Sequence, residues 1–131
     1  MDIVVCSSRE DRARAKTYVY GLTLEGYRAW SDQDLLLGQS RHDLTASRLA
    51  AAKAIIVLWT EDSVKCRETL SIANRALAAG KLIPIVEDKL TALDLPMTHD
   101  GIHFAQFDEI EPVRHALASL GVEVVGTPWK P

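Results

Sequence analysis

The sequence predicts a doubly wound α/β domain: a five-stranded parallel sheet in the flavodoxin-like order 2-1-3-4-5, with helices on both faces. Three observations carry this. Short apolar runs alternate with longer amphipathic ones, the pattern of helices packed on a mostly parallel sheet. The runs Ile3–Cys6 and Ala54–Trp59 are continuous rather than alternating, as expected of strands buried on both faces. Glycines at 26, 80 and 121 close three of the amphipathic stretches, where a helix ends.

Each element follows in order. Ile3–Cys6 is the first strand, and Ser7-Ser8 a turn or N-cap. Arg9 to Glu25 reads as a helix with Ala15, Val19, Leu22 and Leu24 as its apolar stripe. Tyr27 to Trp30 is a short second strand, and Ser31 to Gln39 a loop rich in acid and Leu. Ser40, with Asp43 three residues on, opens a second helix running to about Ala52. Ala54–Trp59 is the central strand. Thr60 or Ser63 caps the next helix, with Glu61 and Asp62 at its positive end. That helix runs to about Ala79. Leu82–Val86 is the fourth strand, and Pro84, which cannot donate to a ladder, draws it towards the sheet edge. Residues 87–100 look irregular, with one helical turn near Leu90–Leu93. Ile102 to Phe107 alternates as a fifth, edge-type strand, and Glu109 to Leu120 is the last helix. The domain is expected over 1–121, with 122–131 as a C-terminal tail.

Composition narrows the function classes. The 131 residues are 47% hydrophobic and 25% charged, ordinary for one globular domain that needs no metal or disulfide staple. A net charge of −3 and a pI near 5.8 give no basic footprint for nucleic acid or anionic lipid. No apolar run approaches the roughly 18 residues of a membrane span. Asp2 follows Met1 with no basic n-region, so no signal peptide is expected. Cys6 and Cys66 form neither a disulfide framework nor a zinc quartet, and the four His show no ligand spacing. A reduced cytoplasmic domain without a metal is the expectation.

In such a sheet, ligands sit at the carboxyl ends of the strands, here the loops after Cys6, Trp30, Trp59 and Val86. Phosphoryl transfer of the receiver type needs an Asp at the end of the third strand. Leu58-Trp59-Thr60 has none. A dinucleotide turn needs glycines for close approach to pyrophosphate, and Cys6-Ser7-Ser8-Arg9 has none.

A third reading rests on a resemblance. The opening Asp2-Ile3-Val4-Val5-Cys6-Ser7-Ser8-Arg9-Glu10-Asp11 joins a strand to a small polar residue and an acidic helix start. Glu25-Gly26-Tyr27-Arg28-Ala29-Trp30-Ser31-Asp32 follows as a second strand. Asp34-Leu35-Leu36-Leu37-Gly38-Gln39-Ser40 comes next. Ala54 to Thr60 then leads into Asp62-Ser63-Val64, and Gly80-Lys81-Leu82-Ile83-Pro84-Ile85 is the fourth piece of sheet. Together, over about residues 2–120, these resemble a Toll/interleukin-1 receptor (TIR) domain of the bacterial type, with Asp34 to Gln39 in place of its BB loop.

The resemblance implies association with other TIR domains, self or heterologous, in signalling or defence. It also implies a possible substrate, NAD+, cleaved at the nicotinamide–ribose bond by enzymatic members. That chemistry uses a glutamate on the third helix, because fixed negative charge stabilises an oxocarbenium-like transition state. Counting from Ser63-Val64 and from Gly80-Lys81 puts Ile72 at that position. The nearest acid is Glu68, four residues earlier and about 6 Å away on the same helix face. It is either a displaced catalytic carboxylate or a solvated first-turn acid. Ser7, Arg9, Trp30 and Asp32 are the candidate NAD+ contacts. A phosphate would be met by single residues such as Arg9 rather than by a basic field.

Other departures follow. Ser7 stands where the family often has an aromatic. Leu37 replaces the BB-loop proline and frees φ. Leu35-Leu36-Leu37 is either tucked under the domain or a contact surface. Trp30 is either core or a base-stacking platform, and Trp59 is core. Arg48 stands where a small residue is usual, and either snorkels or pairs with an acid such as Asp43. Lys53 and Lys81 read as surface, and both cysteines as inert thiols.

Overall fold

The computed structural model describes residues 2–31, 41–88, 90, 94–95 and 104–124, with side chains of 41–45 excluded. Its elements are β1 (Ile3–Cys6), α1 (Arg12–Leu24), β2 (Ala29–Ser31), α2 (Arg41–Ala51), β3 (Ala54–Trp59), α3 (Arg67–Ala78), β4 (Leu82–Val86), β5 (Ala105–Gln106) and α4 (Ile110–Ser119). The five strands lie in the order β2-β1-β3-β4-β5, and every neighbouring pair is parallel.

Alternation along the strands divides the core into two layers. Ile3, Val5, Ile56, Leu58 and Ile85 face α1 and α4, meeting Ala15, Leu22, Val113 and Leu117. Val4, Cys6, Ile55, Val57 and Trp59 face the other way, towards Leu49 of α2 and Ala73 and Ala76 of α3. Both layers are apolar because helices cover both faces, which is why these strands are continuous hydrophobic runs.

Three helices end alike. Gly26, Gly80 and Gly121 have φ of 94°, 72° and 80°. The residue after each donates its N–H to a carbonyl five back: Tyr27 to Leu22, Lys81 to Ala76, Val122 to Leu117. This is the Schellman ending, whose left-handed position favours glycine. At the first, it takes Tyr27 out of the expected Tyr27–Trp30 strand. Tyr27 instead packs into the α1/α4 layer, and β2 starts at Ala29.

Other boundaries move too. The expected helix from Arg9 opens with a 3-10 turn, Arg9–Asp11, before α1. The expected third helix is broken. Ser63–Lys65 is a 3-10 turn, Cys66 has extended backbone, and α3 starts at Arg67. Thr60 therefore does not cap that helix, and Glu61 and Asp62 precede it. Its first-turn acid is Glu68. Of the expected strand Ile102 to Phe107, Ala105–Gln106 is paired, while Ile102 and His103 lie outside the described residues.

Pro84 sits one strand in from the edge. Lys81 O accepts from Ile55 N–H and Glu87 N–H donates to Trp59 O, so odd-numbered positions bond to β3 and the Pro84 nitrogen faces the other way. The β5 ladder begins only at Ile85, so no bond is lost there. Lys81 is more than a surface residue. Its ammonium donates to Leu49 O (2.7 Å) and Ala52 O (2.9 Å), satisfying the carboxyl end of α2. Among the described residues, no helix is long and apolar enough to cross a membrane.

Candidate functional site

The carboxyl ends of β1, β3 and β4 are tied by a buried polar brace. Ser8 and Thr60 both donate their hydroxyls to Asp11 Oδ2, at 2.7 and 2.5 Å. Thr60 N–H donates to Ser63 Oγ and Ser63 N–H to Thr60 Oγ1, at 2.7 and 3.2 Å. Ser63 Oγ in turn donates to Leu58 O (2.8 Å). At the end of β4, Glu87 accepts from Glu61 N–H (3.0 Å) and from Arg14 Nη1 (2.8 Å). Asp11 and Glu87 are each 6% exposed. Each carboxylate meets donors, as burial of a charge requires. Arg14, 4.0 Å from Asp11, links the two.

This brace was only half visible in the sequence. Ser8-x-x-Asp11 and Thr60-x-x-Ser63 carry the three-residue spacing of reciprocal capping pairs. Nothing local shows that Thr60 meets Asp11 across 49 residues, or that Glu87 meets Arg14 across 73. Its carboxylates are held by Arg14 and hydroxyls on the α1 side of the sheet.

Of the candidate NAD+ contacts, Trp30 lies on the opposite side. Trp30, 8% exposed, lies in the same layer as Cys6, Trp59 and Leu49, and Ile72 packs on that layer half-buried. Trp30 is core. Its outer face carries the Arg48 guanidinium, 4.2 Å from a ring centroid, a cation–π contact. Arg48 thus stacks along an aromatic surface, while the Asp43 side chain lies outside the described residues. Ser7, 2% exposed, closes the end of β1. Arg9 is exposed in the 3-10 turn before α1. Asp32 and the loop residues Asp34, Leu35, Leu36, Leu37, Gly38 and Gln39 lie outside the described residues.

On α3, the positions buried against the sheet are Thr69, Ala73 and Ala76. Ile72 flanks this stripe rather than lying in its centre. Glu68 is exposed one turn earlier on the same face. The structure therefore brings Trp30 and Ile72 into one layer, and leaves Glu68 at its margin and Arg9 at the start of the helix covering the other face. Among the described residues, no group of His, Cys, Asp and Glu is placed to hold a metal.

A parallel 2-1-3-4-5 sheet with a small polar turn after β1 and a flanking Ile72 on α3 defines a doubly wound α/β module. The family model "TIR domain" matches residues 3–125, and the chain belongs to that family. Two solved structures illustrate the likeness. The TIR domain of the Toll-related receptor TRR-2 from Hydra magnipapillata superposes with a TM-score of 0.73 at 18% identity, over 92% of this chain and 98% of that one. A metazoan TIR-STING receptor from C. gigas, solved with 2',3'-cGAMP, superposes with a TM-score of 0.69 at 16% identity. That match covers 89% of this chain and 38% of that one. At these identities the likeness is one of fold. No curated protein matches the chain by sequence.

Proposed function

We propose that this TIR domain acts in signalling or defence by associating with TIR domains, its own copies or heterologous ones, and that its NAD+ cleavage is weak or lost. The observation that carries this is Ile72. Counted from Ser63-Val64 and from Gly80-Lys81, Ile72 falls at the third-helix position where the family's chemistry needs a carboxylate, and a count shifted along α3 would remove this support. An isoleucine there adds apolar contact and supplies no charge to an oxocarbenium-like transition state. Family membership supports the association half. In this reading the run Leu35-Leu36-Leu37, which the sequence leaves either tucked under the domain or presented to a partner, is the contact surface.

One observation favours an enzymatic reading. Glu68 is exposed on the face it shares with Ile72, one helical turn away. In that reading Glu68, or a carboxylate lent by an assembled partner, stabilises charge on the ribose as nicotinamide leaves.

Sedimentation of the purified chain over a wide concentration range tests the association. The expected result is a concentration-dependent assembly that Leu36→Asp dissolves without loss of fold. A monomer at every concentration, with no co-sedimentation with other TIR domains, overturns the reading.

A further inference from the structure

We propose that the groove between α1 and the β5–α4 junction binds a small organic cation: an ammonium or guanidinium group carried on an aromatic or short aliphatic body. This site lies on the α1/α4 face, opposite Trp30 and Ile72, and does not depend on the proposed function.

The groove consists of two hollows that share Arg14 and Phe107. The larger, about 570 Å³, falls within the roughly 300–1,000 Å³ of small-molecule sites. Its floor is Gly21, where an added Cβ would meet nothing within 4 Å. Leu22 and Ile110 line it, with Tyr18 and Phe107 set edge-to-face at 6.3 Å. The Tyr18 hydroxyl is buried there with no hydrogen-bond partner among the described residues. Burial pushes its pKa up to about 12, so it stays protonated beneath the groove surface, and the ring rather than the hydroxyl meets a bound molecule.

The smaller hollow, about 380 Å³, supplies the charge. Among the described residues, Glu87, Asp88 and Asp108 line it beside one cation, Arg14. That cation is already engaged, at 2.8 Å from Glu87 and 4.7 Å above the Phe107 ring. With Glu87 paired to that guanidinium, Asp88 and Asp108 remain as the charges of this end among the described residues, and they leave it negative. An anion is repelled from it, and a purely apolar molecule leaves it unused. A cation with an apolar body fits both hollows: body over Gly21 and against the Tyr18 and Phe107 rings, charge at Asp88 and Asp108.

The test uses L-tryptophanamide, which carries an indole, a carbonyl and an ammonium, against its uncharged N-acetyl derivative. Backbone amide NMR shifts of the intact chain report binding. Saturable shifts at Tyr18, Gly21, Phe107 and Asp108 are expected, with the acetylated probe roughly fivefold weaker or worse. Gly21→Met, which fills the floor, should abolish the shifts. Asp88→Asn with Asp108→Asn, at exposed positions, should weaken the charged probe alone, and keeps the test valid if Gly21→Met does not fold. No saturable shift, equal binding of the two probes, or the same shifts appearing on concentration without any probe overturns the proposal; the last result would assign the groove to a second copy of the chain.

Discussion

Tyr18 shows how one atom links stability and pH. Its hydroxyl is buried without a partner among the described residues, so Tyr18→Phe removes an unsatisfied group and should raise stability by about 1 kcal/mol near neutral pH. The alkaline limb provides a second readout. The folded pKa is raised from 10.0 to about 12 by burial. The folded state therefore keeps a proton that the unfolded state loses. The contribution is full below pH 10 and is lost as pH climbs towards about 12, with a slope of at most about 1.4 kcal/mol per pH unit. Urea midpoints measured across that window should fall more steeply for the parent than for Tyr18→Phe. Parallel slopes would show that the hydroxyl is solvated. The residue scale is also where the sequence was least legible. Asp11 read only as part of an acidic helix start and Glu87 carried no signal, because Thr60 and Arg14 stand 49 and 73 positions away. Arg48 had no sequence signal for its stack on Trp30, since the ring and the guanidinium come from different elements.

At the scale of the element, legibility was high wherever the signal was local. β3, β4 and the glycine endings follow from continuous apolar runs and from the left-handed backbone that three helix ends require. The errors have local causes as well. Tyr27 is apolar and adjoins β2, so it read as strand, yet its N–H closes α1 at Leu22 O. The break before α3 rests on extended backbone at Cys66, which nothing in Lys65-Cys66-Arg67 announces. Two glycines give opposed expectations. Gly80 has φ +72°, so Gly80→Ala should cost about 1 kcal/mol even though the space is open. Gly21 lies inside α1 with nothing within 4 Å of an added Cβ, so Gly21→Ala should stabilise by about 1 kcal/mol. Thermal melts of the two variants should shift in opposite directions. A shift of the same sign would mean that one of the two backbones is misread.

At the scale of the molecule, the two layers divide the work. The α1 side carries the polar brace from Ser8 to Glu87 and the acidic groove. The α2/α3 side carries Trp30, Arg48 and Ile72. The fold was legible because alternation of runs and a chirality rule leave few topologies. For catalysis the sequence offers only a counted position on α3, because the chemistry depends on which side chain fills a place rather than on the pattern that builds the place. Weak or lost NAD+ cleavage therefore turns on Ile72. Its most direct test is to incubate concentrated protein with NAD+, follow nicotinamide release, and run Glu68→Gln and Ile72→Glu beside the parent. Expected are no release by the parent above the buffer rate, no change with Glu68→Gln, and a gain with Ile72→Glu. Release by the parent that Glu68→Gln abolishes would contradict it.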